Sequence, residues 1–406
     1  MLDNLPEDII SSIIHLLTQK DQATCVRVSR HWHNIFQSSL YSTIQLKNER
    51  TGNLFLKSGV MDISSTSASD FRYLVRSMTL RWAIGQKVYP WRLLLRSFPF
   101  LEDLSVSSML WNNLVKENGA LPNLTRLATN CKYTPIDLSD VYAKNLTHFS
   151  AMRFQKRLLC SLIIKMPMLK DLTIQVIQHT PDEGSPSLEF QDIDNIHGSC
   201  KHIQTIHLRN LTLAGNALIE QSQATTVRYF KLKNVKVTEP EWIVYFIKKY
   251  PRLLKISIQV IRAPWDDQFN PRMVYRYEDA LGEIKSGFIW SDLEILSLSN
   301  ITDNKAYFST LRLVKLLAPS YNLKQLEIYG SRVKPFSVDL NINWALKNFS
   351  GLRVLKLNRI NVIYTSNASF VNSCLTHLEL DINQCSDELL KLVNDICPQA
   401  HHIMLM

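Results

Sequence analysis

One phrase of apolar and polar positions recurs along most of the chain: apolar-x-x-apolar-x-apolar. It stands at Val75-Met78-Leu80, Leu101-Leu104-Val106, Leu124-Leu127-Thr129 and Leu146-Phe149-Ala151. It returns at Leu169-Leu172-Ile174, Ile203-Ile206-Leu208, Val227-Phe230-Leu232, Leu253-Ile256-Ile258 and Leu293-Leu296-Leu298. Leu323-Leu326-Ile328, Leu352-Leu355-Leu357, Leu375-Leu378-Leu380 and Ala400-Ile403-Leu405 complete the series. The last two apolar positions of each phrase are two apart, as on one face of a strand. Most starts lie 22 to 30 residues apart, but Leu169 to Ile203 spans 34 and Leu253 to Leu293 spans 40. Pro99, Pro122, Pro167, Pro251 and Pro398 each lie two residues before a phrase. A proline there is expected to stop a preceding helix and let the chain enter the strand extended. Helical segments fill the intervals, most clearly over 91–98, 156–166, 241–249, 311–317 and 389–397. Thr238-Glu239-Pro240-Glu241 reads as a capping box ahead of one of them.

Strand, turn and helix repeated about thirteen times at this spacing match a leucine-rich repeat. The expected fold is α/β: a curved solenoid over residues 71–406 with a parallel sheet on its inner face. The two long intervals predict inserts. One contains the acidic, turn-rich run Thr180-Pro181-Asp182-Glu183-Gly184-Ser185-Pro186-Ser187. The other contains Pro264-Trp265-Asp266-Asp267, then the alternating Met273-Val274-Tyr275-Arg276-Tyr277, which reads as a small hairpin. Residues 41–70 read as a linker holding a short strand and a mobile serine-rich loop over 58–70.

The first forty residues follow another pattern. Ile9, Ile13, Leu16 and Leu17 recur at helical spacing, with Ile10 and Ile14 beside them. Asn4 is a candidate cap, Pro6 suits a first helical turn, and Glu7 and Asp8 favour the positive end of the helix dipole. Asp21 can cap a second short helix carrying Cys25, Val26 and Val28. Ser29 can start a third, carrying Trp32, Ile35 and Phe36. So much apolar surface on so few residues exceeds what the segment can bury alone, so it needs the rest of the chain or a partner.

Leu5-Pro6, Asp8, the Ile/Leu-rich run to Leu17, Asp21 and the close Val28-Ser29-Arg30-His31-Trp32 together resemble an F-box over residues 1–40. Leu40-Tyr41-Ser42-Thr43-Ile44-Gln45-Leu46 looks like the short strand that often follows one. The resemblance implies docking on a Skp-type adaptor and, through it, on the cullin of a ubiquitin ligase. The residues it implicates in adaptor binding are Leu5, Pro6, Ile9, Ile13, Ile14, Leu17, Val28 and Trp32. Gln22 and Ala23 depart from the pattern, standing where family members often carry two leucines, and Arg27 replaces another apolar residue. Such departures either weaken adaptor affinity or leave the second helix more exposed.

Composition narrows the function classes. Apolar residues make up 46% of the 406, enough for a large core, yet no stretch approaches the roughly 18 consecutive apolar residues of a membrane span. The acidic opening Met-Leu-Asp-Asn-Leu-Pro-Glu-Asp is not that of a signal or transit peptide. The seven cysteines are scattered and none form C-x-x-C, so no zinc site or disulfide framework is indicated. A cytoplasmic or nuclear protein with reduced core thiols is expected. No G-x-S-x-G, P-loop or H-E-x-x-H motif occurs, so neither an enzyme nor a cofactor is predicted. The net charge of +10 admits an acidic partner, nucleic acid or an anionic membrane, but the basic residues are spread without a basic run, which disfavours nucleic acid.

Residues between the apolar slots point to the inner face. In repeats six and seven this places His207, Arg209, Tyr229, Lys231 and Lys233 side by side, suited to an acidic or phosphorylated protein target. The combined expectation is the substrate-recognition subunit of an SCF-type ubiquitin ligase. Two alternatives stay open: an F-box/repeat scaffold outside the ligase, and a basic repeat protein binding nucleic acid or anionic membrane.

Overall fold

The computed structural model describes residues 6–46, 48–57, 70–80, 97–107, 111–112, 121–130, 140–152, 156–176, 187–215, 223–237, 241–262, 290–301, 322–330, 338–365, 370–381 and 386–405. They fall into two compact units, Met1–Leu169 and Lys170–Met406. The predicted helix over 311–317 and the hairpin at Met273-Val274-Tyr275-Arg276-Tyr277 lie outside the described residues, as do Thr238 to Pro240 of the capping box, all but Asp70 of the loop over 58–70, and 91–96 of the helix expected over 91–98, whose last two residues, Ser97 and Phe98, are not helical.

The first unit opens with three helices, α1 (Glu7–Leu16), α2 (Gln19–Cys25) and α3 (Arg30–Ser42). Five parallel strands follow in sheet order: β1 (Thr43–Leu46), β2 (Ser77–Leu80), β3 (Asp103–Ser107), β4 (Arg126–Asn130) and β5 (His148–Met152). The register is that of the repeat phrase: Ile44 lies beside Met78, Met78 beside Leu104, Leu104 beside Leu127, and Leu127 beside Phe149. Thr129 and Ala151 occupy the last apolar slot and are buried to 1% and 0% exposure, so small side chains hold the places of leucines there. Segment 41–70 does more than link. Helix α3 runs on through Ser42, Thr43–Leu46 then becomes the first strand of the sheet, and a helix follows at Glu49–Lys57.

The second unit carries nine strands in sheet order: β6 (Asp171–Gln175), β8 (Thr205–Arg209), β10 (Tyr229–Val237), β11 (Lys255–Arg262), β12 (Ile295–Ile301), β13 (Gln325–Gly330), β15 (Val354–Asn358), β17 (His377–Leu380) and β18 (His402–Leu405). Every pair is parallel. Leu172, Ile206, Phe230, Ile256, Leu296, Leu326, Leu355, Leu378 and Ile403 form one row across them. Short extra strands sit beside this ladder. β7 (Ser187–Leu188) pairs with β9 (Thr212–Leu213), and β14 (Asp339–Asn341) pairs with β16 (Asn361–Ile363). Both units are thus leucine-rich repeats, each phrase becoming one strand of an α/β array.

Pro167, Pro251 and Pro398 follow the ends of helices Lys156–Ile163, Glu241–Lys249 and Asp387–Ile396, as expected of residues that stop a helix, and four of the five prolines also build a turn. The N–H of the first phrase residue bonds back three positions, Leu101 to Phe98 O, Leu124 to Leu121 O, Leu169 to Met166 O and Ala400 to Cys397 O. Pro99, Pro122, Pro167 and Pro398 therefore occupy the second position of a tight turn, where their fixed φ is already correct. Asn210 and Arg359, directly after β8 and β15, and Asn234, within β10, take positive φ values of 56°, 54° and 52°. Asn tolerates this conformation, and here the amides bond from repeat to repeat: Asn234 Nδ2 donates to Asn210 Oδ1, and Asn210 Nδ2 to Val176 O. At Gly330 a Cβ would come within 2.0 Å of Arg359 O, so no other residue fits.

Part of the predicted acidic insert, 177–186, lies outside the described residues; its remainder is built into the fold. Ser187–Leu188 is strand, and Phe190–Ser199 is a helix capped by a reciprocal Glu189–Asp192 box. Its Phe190 stacks on Trp242 of helix Glu241–Lys249 at 3.8 Å between centroids. Between these helices Lys249, with no exposed side-chain surface, places Nζ 2.7 Å from Asp194 Oδ1, an ion pair without hydrogen-bond alignment. Tyr245 OH donates to the same oxygen at 2.9 Å.

Candidate functional site

The N-terminal helices build an apolar surface from their caps upward. Asn4 and Leu5 lie outside the described residues. Pro6 is the residue before α1, not within its first turn, and its carbonyl accepts from the N–H groups of Ile9 and Ile10. Helix α2 starts one turn earlier than expected: Thr18 is its cap, and Asp21 is the reciprocal partner, accepting from Thr18 N while Thr18 Oγ1 accepts from Asp21 N. It ends at Cys25, so Val28 belongs to the following turn and is 64% exposed. Ser29 caps α3, accepting from Trp32 N at 3.2 Å.

Packing then separates contact from core. Phe36 is buried, with Trp32 stacked on it at 5.5 Å. Ile10, Ile13, Leu17, Cys25, Trp32, Ile35 and Phe36 enclose a pocket of about 260 Å³. Of the implicated residues, Ile13, Leu17 and Trp32 line this pocket and Ile14 is half-buried, whereas Pro6, Ile9 and Val28 face solvent. The most exposed apolar side chain here is Leu16 at 84%. It is not among the residues that the F-box resemblance implicates, although it lies seven residues after Ile9, on the same helical face. Gln22 is buried, and its Nε2 donates to Ile14 O at 2.9 Å and Leu17 O at 3.3 Å. It satisfies carbonyls orphaned at the end of α1. Its departure from leucine is therefore a change inside the helix junction, while Ala23 and Arg27 are exposed.

A family model for F-box-like domains matches residues 2–47. Residues 2–47 form an F-box-like domain. No curated protein sequence matches the chain. Among solved structures, the yeast Rad7 and Elc1 complex gives a TM-score of 0.43 at 13% identity, covering 98% of this chain and 93% of that one. An internalin from Listeria monocytogenes gives 0.41 at 14%, covering 86% and 94%. The leucine-rich repeat domain of APL1B gives 0.36 at 10%, covering 88% and 92%. In the chain, the residues matched by the F-box-like model come before the repeats whose strands are described above.

The second candidate site lies on the repeats of the second unit. Strand pairing sets Lys231 beside His207 and Lys233 beside Arg209, with Tyr229 beside Thr205 on one side and Lys255 on the other. The structure brings together all five residues read from the sequence. Tyr229 is 44% exposed, Lys231 is exposed, and His207, Arg209 and Lys233 are half-buried. Burial, then the Lys231 ammonium, push the His207 imidazole below its ordinary range, with Asp171 opposing them. Further along the same inner row the charges change sign. Lys356 Nζ lies 3.2 Å from Glu379 Oε2 and 4.0 Å from Glu327 Oε1, and Gln325 donates to Glu327 at 2.7 Å. Hydrogen bonding to Glu379 raises the Lys356 ammonium above its usual range. Among the described residues no cluster of three or more metal-ligating side chains forms, and no helix is long and apolar enough to cross a membrane.

Proposed function

We propose that the chain is the substrate-recognition subunit of an SCF-type ubiquitin ligase, acting in the cytoplasm or nucleus. The F-box-like domain docks on a Skp-type adaptor, which carries the cullin, and the repeats hold a protein target. The observation that carries the reading is an F-box-like domain with solvent-facing apolar side chains, Ile9, Leu16 and Val28, in addition to the apolar pocket lined by Ile13 and Trp32. Large apolar side chains left exposed on so small a domain mark a docking surface. The chain's own contribution to ubiquitin transfer is proximity, raising the target's local concentration at another protein's active site.

The test substitutes residues that the domain's own core does not use. Burying one leucine-sized side chain is worth about 1.5–3 kcal/mol, so each lost contact weakens adaptor binding roughly tenfold or more. The pair Leu16→Asp and Val28→Asp is expected to remove adaptor and cullin from purified complexes while the thermal transition of the protein stays in place. Unchanged adaptor recovery sinks the proposal.

A further inference from the structure

We propose that the basic side chains of β8 and β10 form a seat for one phosphoryl group on an extended segment of the target protein. The inference rests on the receptor reading above and names the chemistry of its target. His207 and Arg209 stand two apart on one strand, and Lys231 and Lys233 stand opposite them on the next. Their Cα positions make a quadrilateral about 4.8 Å by about 6.6 Å, a size over which one anion can reach all four side chains. Tyr229, exposed at one edge, adds a phenolic donor.

Three observations favour a bound anion. Among the described residues no carboxylate forms an ion pair with Arg209, Lys231 or Lys233, whereas Lys356 on the same inner row is held by two glutamates. Arg209 Nε is buried and has no hydrogen-bond partner among the described residues, and its other contact, Nη1 to Gln175 Oε1, is long at 3.5 Å. Like charges have been packed side by side at the cost of mutual repulsion, which a dianion removes.

The surroundings select a single localised anion over a polyanion. Across β11 and β12 the inner row is Ser257 and Ser297, uncharged, and at β13 it becomes Glu327. That carboxylate is three strand steps from Lys231, about 14 Å. On the other side β6 presents Asp171 and Thr173 beside Thr205 and His207. A nucleic acid or an anionic membrane spreading over this face meets carboxylates on both flanks, whereas a phosphoryl group centred on Lys231 and Lys233 lies two strands from Asp171 and three from Glu327.

The experiment passes degenerate nine-residue peptide libraries over the immobilised full chain. The central residue is fixed as phosphoserine, serine or glutamate. The phosphoserine library is expected to be retained about tenfold or more above the serine library, since a phosphoryl group accepts several charge-assisted hydrogen bonds. K231E and K233E together should bring retention down to the serine level, with the thermal transition and adaptor capture unchanged. Equal retention of all three libraries, retention that survives the charge reversal, or glutamate retained as well as phosphoserine overturns the proposal. So does binding of single-stranded nucleic acid or phosphatidylserine vesicles through these lysines without phosphopeptide preference. Adaptor capture, read on the same samples, fails separately if the ligase reading is wrong.

Discussion

His197 offers a perturbation whose size follows from its surroundings. It lies on helix Phe190–Ser199, is buried, and shares a 3.0 Å hydrogen bond between Nε2 and Tyr250 OH. Burial, and then the nearby Lys249 ammonium, lower its pKa from 6.5 to about 4, with Asp194 pulling the other way. The native imidazole thus stays neutral at pH values where an unfolded one takes up a proton. Stability from this group is complete above pH 6.5, falls as pH drops, and is gone by about pH 4. The gap between 6.5 and about 4 corresponds to about 3 kcal/mol. The measurement is urea unfolding of the parent and of His197→Gln from pH 7.5 to 4. Glutamine keeps a hydrogen-bonding side chain but cannot titrate. The parent's stability should fall by about 3 kcal/mol more than the variant's over that range. Hydrogen exchange should place the loss in Phe190–Ser199 and Glu241–Lys249, the helices that enclose the group. Parallel pH profiles for the two proteins would refute the argument, since they would mean that His197 titrates alike in both states.

Two further substitutions probe the frame. Gly330→Ala should lower stability by about 2 kcal/mol or more in thermal unfolding, because the new Cβ would overlap Arg359 O at 2.0 Å and one strand end must move. Gln22→Ala should cost about 1–3 kcal/mol by removing the donor to Leu17 O and leaving Ile14 O only its longer bond from Leu17 N, and circular dichroism should report fraying at the end of α1.

Much of the architecture is legible in the sequence because a repeat makes one local rule do the work of many. The two-residue spacing of Leu326 and Ile328, or Leu355 and Leu357, determines which side chains turn inward, and a near-constant interval aligns them with the next strand. The same rule, applied to the spacing alone, sets Lys231 beside His207 and Lys233 beside Arg209, and the strand register agrees. The N-terminal phrase from Leu5 to Trp32 likewise announces its domain, since caps and helical spacing are local signals.

What the sequence could not decide are the places where burial depends on a distant partner. Lys249 ends a helix that the sequence predicts, but only the fold shows it fully buried, with Asp194, on another helix, 2.7 Å away. Gln22 reads as a departure from a leucine pattern, and only the fold shows it buried at the end of α1, donating to Ile14 O and Leu17 O. The run 187–199 reads as surplus between repeats, yet Phe190 finds Trp242 to stack on. Thr43–Leu46 reads as a short strand within a linker, and only the fold supplies β2 as its partner. Periodicity tells each residue which way to face, and only the tertiary structure supplies the group that it meets there.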